Sequence, residues 1–156
     1  MQEIKDDIWN YHKKGFMIVI PTNGFVKNND EAVMGRGLAL QASTKFPELP
    51  KLLGQRIKEY GNVVFTFSGN NFTKEPNLRL ITFPVKHKWW ERANLQLIEK
   101  STKELAEIFK HNLMNYLIPV YLPRVGCGNG KLNWIEVRPI LERYLNPEKF
   151  VICSIS

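Results

Sequence analysis

The sequence predicts an α/β protein whose mixed, mostly parallel sheet is covered by helices on both faces. Three observations carry this prediction. Short apolar runs of strand length, rich in β-branched residues, recur along the chain, and amphipathic stretches with helical spacing separate them. Glycine-rich segments stand directly after strands, where the ligand loops of such sheets lie. Continuous rather than alternating apolar runs imply strands buried on both faces.

The elements follow in order. "GFMIVIPTN" (15 to 23) reads as a buried strand and its exit turn, and "GRGLALQASTKF" (35 to 46) as a helix opening at glycines. "LPKLLGQRIKEYG" (49 to 61) reads as a second helix, with Leu52, Leu53, Ile57 and Tyr60 at helical spacing and Gly61 as its stop. "NVVFTF" (62 to 67) and "LRLITF" (78 to 83) are strands joined by the turn-rich "SGNNFTKEPN". A long helix is expected from Trp90 to about His111, with Leu97, Ile98, Leu105, Ile108 and Phe109 on one face. "LIPVYL" (117 to 122) is the next strand and "WIEVRPILERYL" (134 to 145) a helix, in which Pro139 marks a kink or a frayed first turn. "FVICSI" (150 to 155) closes as a buried strand.

The chain has 156 residues, 44% of them hydrophobic, enough for one domain spanning 1–156 whose core needs no disulfide or metal. No apolar run reaches the roughly 18 to 20 residues that cross a bilayer. "MQEIKDDIWN" is polar and acidic, so no signal peptide is expected, and two cysteines make no disulfide framework. A cytoplasmic monomer without membrane contact is therefore expected. The formal charge of +7 favours anionic partners, whether nucleic acid, a nucleotide or a phosphorylated metabolite, although solubility alone would also account for it.

The loops 21 to 37, 84 to 92 and 123 to 133 all follow strands and should converge on one edge of the sheet. "VMGRGLAL" has glycines two apart before a helix, an arrangement that exposes amides to an anion but matches neither a dinucleotide fingerprint nor a Walker loop. "PRVGCGNGK" is a second such turn, and two together suit a diphosphate better than either alone. Charge-assisted hydrogen bonds are worth about 1.5–3 kcal/mol each. Three or four, less association costs, would account for most of a micromolar affinity, roughly −8 kcal/mol.

Cys127 has no histidine in its local context, and His12, His87 and His111 show no spacing that pairs one with it, so a semi-buried packing role is expected. Lys86 and Lys88 follow a strand end and precede Trp89 and Trp90. A lysine beside apolar or cationic neighbours loses its proton more easily and can act as a nucleophile toward a sugar aldehyde; a surface pair at a helix start is the alternative. The two tryptophans either stack on an extruded base or anchor the helix start, and the second role is expected of at least one. No His/Cys/Asp cluster has metal-ligand spacing, so neither metal nor cofactor is expected.

"TNG", "VMGRGLALQA" followed by "FP", "FPVKHKWW" and "PRVGCGNGKLNW" stand in register with motifs of the macrodomain family, which the chain resembles from about residue 17 onward. Within it the chain is most similar to the branch of terminal ADP-ribose glycohydrolase and the antitoxin that strips ADP-ribose from DNA. The resemblance implies a three-layer α/β/α macrodomain, ADP-ribose or an ADP-ribosylated substrate as partner, and hydrolysis of its glycosidic linkage. It implies that Asn23 bonds the distal ribose near the reacting carbon and that Lys86 acts on that carbon. Met34, Gly35, Arg36, Gly37 and Leu38 would form one ligand loop, and Pro123, Val125, Gly126, Cys127, Gly128, Asn129 and Gly130 the other. Gly130 stands where the glycohydrolase carries an aspartate. That departure favours a nucleic-acid-linked substrate over protein glutamate and also leaves room for a binding module without turnover, or for an ADP-ribose 1″-phosphate phosphatase. The insertion 26 to 32 offers Asp30 or Glu31 as a substitute acid, or is simply a solvated loop. Phe25 and Tyr121 are candidates for the adenine contact.

Overall fold

A computed structural model describes residues 1–69, 76–110 and 118–155. Six strands form one sheet in the order β1-β6-β5-β2-β4-β3. These are β1 (Glu3–Lys5), β2 (Ile18–Asn23), β3 (Phe65–Ser68), β4 (Asn77–Lys86), β5 (Val120–Leu122) and β6 (Phe150–Ser154). Only the pairing of β3 with β4 is antiparallel; the other pairings run parallel. The helices are α1 (Ile8–Lys13), α2 (Gly37–Lys45), α3 (Leu49–Tyr60), α4 (Leu95–Lys110) and α5 (Trp134–Tyr144).

Strand alternation sorts side chains into two cores. Ile18, Ile20, Leu80, Phe67 and Val151 pack with Ala42, Leu49 and Leu53 of α2 and α3 and with Trp9 of α1. Val19, Ile81, Phe83, Leu122 and Ile152 point the other way, against Ile98 and Leu105 of α4 and Val137 and Leu141 of α5. The product is the expected three-layer α/β/α sandwich with a mixed, mostly parallel sheet.

Several boundaries differ from the sequence reading. β1 and α1 lie in the stretch read only as polar; β1 is three residues long and α1 six, too short for a periodic signal. β4 runs on through Pro84 to Lys86, because β3 leaves its last residues free and proline costs a strand no bond there. α4 begins at Leu95 rather than Trp90, where the Asn94 side chain accepts the Leu97 N–H at 2.9 Å and starts the helix. α5 continues past Pro139, which sits inside the helix on its exposed side. The expected turn at 70–75, the helix end at His111 and the strand start at Leu117 fall outside the described residues.

Candidate functional site

The carboxyl ends of β2, β4 and β5 and the loops that follow them enclose one cavity of about 700 Å³. All three predicted loops reach it: Asn23 from the first, Lys86 and Trp89 from the second, and Arg124, Gly126, Gly128, Asn129 and Gly130 from the third. The two glycine loops also meet each other, since a Cβ on Gly37 would lie 2.8 Å from Asn129 Nδ2.

Asn23 and Lys86 are neighbours by register. The β2–β4 pairing shifts between Thr22 and Asn23, which sets Asn23 opposite Lys86. Asn23 braces the start of the first glycine loop: its Nδ2 donates to Val33 O at 2.9 Å and its Oδ1 accepts the Phe25 N–H at 2.9 Å. The backbone that carries Lys86 is held at four successive carbonyls. Pro84 O accepts from Ser101 Oγ at 2.7 Å and Val85 O from the Asn94 N–H at 2.8 Å. Lys86 O accepts from Asn62 Nδ2 at 3.0 Å, and His87 O from the Gly24 N–H at 3.1 Å. Sequence reasoning missed Asn62, Asn94 and Ser101 in this role, because no local pattern announces a side chain that serves a distant backbone.

Among the described residues the Lys86 ammonium pairs with no carboxylate, and its Nζ reaches Trp89 O and Asn129 O, both at 3.5 Å, the outer limit of a hydrogen bond. Partial burial lowers its pKa from the usual lysine value, and the positive charges of Arg36 and Lys131 lower it further. The described residues lining the cavity include Lys27, Arg36, Lys86 and Arg124 and no aspartate or glutamate. Asp30 and Glu31 do not supply the acid: Asp30 pairs with Lys58 at 2.7 Å, and Glu31 pairs with Lys27 at 3.7 Å and accepts from Asn29 at 3.2 Å.

Gly130 cannot be replaced in place by a residue with a side chain, because its Cβ would stand 2.4 Å from Gly126 O. The aspartate of the resembled glycohydrolase is thus excluded by the backbone path of this loop.

Met34, Gly35, Arg36, Gly37, Leu38, Pro123, Gly126, Gly128, Asn129 and Gly130 all line the cavity. Val125 and Cys127 do not; Val125 is fully buried and Cys127 packs on the core under α4 and α5. Burial raises the Cys127 thiol, which makes it a poor nucleophile at neutral pH, in keeping with the packing role. Tyr121 is also displaced from its expected place, since as a β5 residue it points into the α1 side and stacks on Tyr11 at 4.1 Å. Phe25 does line the cavity.

The tryptophans correct the expectation that one would anchor the helix start. Trp89 and Trp90 are 49% and 55% exposed and precede α4 without entering the core. They meet edge to face at 5.3 Å, Trp90 meets Phe25 at 5.6 Å, and Lys88 Nζ lies 5.4 Å from the Trp90 ring. An aromatic, cationic rim thus stands beside Lys86.

The sequence matches no known family model. It is 28% identical over 136 residues to a DNA ADP-ribosyl transferase–DNA ADP-ribosyl glycohydrolase fusion protein of Thermosipho africanus, covering 77% of this chain and 34% of that protein. It is 26% identical over 114 residues to human ADP-ribose glycohydrolase OARD1, covering 73% of this chain and 68% of OARD1. The chain spans about a third of the length of the curated relatives it matches first. Among solved structures, the macrodomain of Thermus aquaticus DarG superposes with a TM-score of 0.72 at 22% identity, over 98% of this chain and 96% of that one. Thermosipho africanus DarTG in complex with ADP-ribose superposes with a TM-score of 0.67 at 21% identity, over 88% of this chain and 37% of that one. By its fold the chain is a macrodomain, and in sequence it is similar to the DNA ADP-ribosyl glycohydrolases and to OARD1.

Proposed function

We propose that the cavity binds ADP-ribose and that the protein hydrolyses its glycosidic link to a nucleic-acid base, with Lys86 acting on the anomeric carbon. The observation that carries this reading is that Lys86 and two facing glycine loops line a single cavity whose described lining residues include cations and no carboxylate. The amides opening α2, which has neither a side-chain cap nor an acidic residue in its first turn, suit one phosphate; the 126–130 turn suits the other. Asn23, the register partner of Lys86, is the residue this reading assigns to the distal ribose.

Without a carboxylate at Gly130, Lys86 bears the chemistry. As a free amine it attacks C1″; the C1″ bond to the base breaks, and the base leaves with the electron pair and takes up a proton. Water then releases the sugar from the lysine, so that the net change is addition of water across the glycosidic bond. The lowered Lys86 pKa and the lack of a carboxylate partner among the described residues support the amine form. Trp89 and Trp90, with Lys88, offer stacking surface and charge to a leaving nucleobase, which a protein glutamate would not use. The Thermosipho africanus relative named above carries DNA ADP-ribosyl glycohydrolase in its name, which agrees with this choice.

The test is release of ADP-ribose from thymidine-linked and guanosine-linked oligonucleotides and from a glutamate-linked protein, by wild type and Lys86→Ala. Release from an oligonucleotide that disappears in the variant is expected. Undiminished release by Lys86→Ala would remove the lysine from the mechanism. No release from any substrate, with ADP-ribose still bound, would make the protein a reader or sink.

A further inference from the structure

β1 lies at the far edge of the sheet, yet its Glu3 side chain reaches the wall of the cavity. Only 14% of that side chain is exposed. Oε2 accepts from Arg124 Nε at 2.7 Å and Ser154 Oγ at 2.9 Å, and lies 2.6 Å from Arg124 Nη2. Oε1 accepts from Trp134 Nε1 and from Arg138 Nη1, each at 3.2 Å. Burial works to raise the Glu3 pKa, but the bonds from Arg124 and Ser154 outweigh it and hold the carboxyl below the usual range. Removing one partner of a largely covered ion pair leaves the other charge uncompensated, so Glu3 and Arg124 constrain each other.

What it fixes is Arg124. Two of the guanidinium nitrogens are engaged by Glu3, its carbon lies 5.3 Å from the Trp134 ring, and Arg124 is one of the residues lining the cavity. From Arg124 a chain of backbone bonds runs through the second glycine loop. Arg124 O accepts the Cys127 N–H at 3.1 Å, Gly126 O the Leu132 N–H at 3.0 Å, and Gly128 O the Lys131 N–H at 3.1 Å. Gly130 O accepts the Ala93 N–H at 3.0 Å, and Asn129 O stands 3.5 Å from Lys86 Nζ. Gly126, two residues after Arg124, holds φ at +78°, a left-handed conformation that favours glycine.

We propose that Glu3 is a positioning residue for the ligand: acting through Arg124, it sets the 124–130 wall of the cavity and thereby the affinity for the diphosphate of ADP-ribose. This rests on the reading of the cavity as an ADP-ribose site. Glu3 touches no ligand itself, and Trp134, Arg138 and Ser154 share its carboxylate only as structural partners.

Calorimetry with ADP-ribose on wild type, Glu3→Gln, Arg124→Gln, the double variant and Arg138→Gln tests it. Glu3→Gln is expected to weaken binding about tenfold, and the double variant to bind no more weakly than Arg124→Gln alone, since one effect passes through the other. Arg138→Gln is expected to lower the melting temperature while leaving Kd unchanged. Unchanged Kd in Glu3→Gln, or additive losses in the double variant, would overturn the proposal. Amide exchange over 124–130 in the ligand-free proteins gives an independent arm: it should quicken in Glu3→Gln and not in Arg138→Gln. Equal exchange in wild type and Glu3→Gln would also overturn it. Wild type that fails to bind ADP-ribose would instead refute the functional reading, with the exchange result still deciding whether Glu3 sets the loop.

Discussion

At Gly35, in the first glycine loop, a side-chain carbon would stand in open space, whereas at Gly130, in the second, it would lie 2.4 Å from a backbone oxygen. Both glycines line the same cavity. Gly35 leaves its space open to the cavity, whereas Gly126 and Gly130 are needed where the second loop packs closely on Ala93, Ile98 and Leu132 and on itself. A glycine next to a ligand site is therefore ambiguous evidence until its Cβ direction is known.

Substitutions separate the two loops. Gly130→Ala forces a carbon against the Gly126 carbonyl and should cost about 3 kcal/mol or more, read from urea unfolding. Gly35→Ala should leave unfolding stability within about 0.5 kcal/mol, as for a surface change, yet weaken ADP-ribose binding about tenfold by occupying ligand space, a loss of about 1.4 kcal/mol. If Gly130→Ala proved neutral and Gly35→Ala unfolded the protein, the comparison would be reversed.

A smaller effect concerns the charge that the first loop brings to Lys86. Arg36 disfavours the protonated amine, so Arg36→Gln should raise the Lys86 pKa. A nucleophilic amine must be free of its proton, so turnover should rise with pH through the Lys86 pKa, and the acid limb of the profile should move to higher pH in Arg36→Gln. Arg36→Lys, which keeps the charge, should leave the limb where it is. An unmoved limb in both variants would argue against a titrating Lys86.

Much of this was legible in the sequence for a physical reason. The strands around Ile18 to Ile20 and Phe150 to Ile152 are buried on both faces, so their signal is continuous apolarity within a few residues. Likewise, glycines after strands and a lysine after a proline mark loops by local chemistry alone. What stayed hidden depends on distance in the chain. Glu3 meets Arg124 across 121 residues, and Asn62 meets Lys86 across 24, with no periodicity to betray either. The side-chain direction of Cys127 and Tyr121 was equally invisible, because a loop or a two-sided strand offers two faces and the sequence names neither. The short strand β1 and the outward-facing tryptophans belong to the same class.

The account turns on one cavity accepting a diphosphate between two backbone loops while Lys86 faces the far sugar. Titration calorimetry of wild type and Lys86→Ala with ADP-ribose tests that most directly. Binding with one site and micromolar Kd in both proteins is the predicted result, since the loops hold the phosphates and the lysine acts on the anomeric carbon. Absence of binding in wild type would contradict the account at its root.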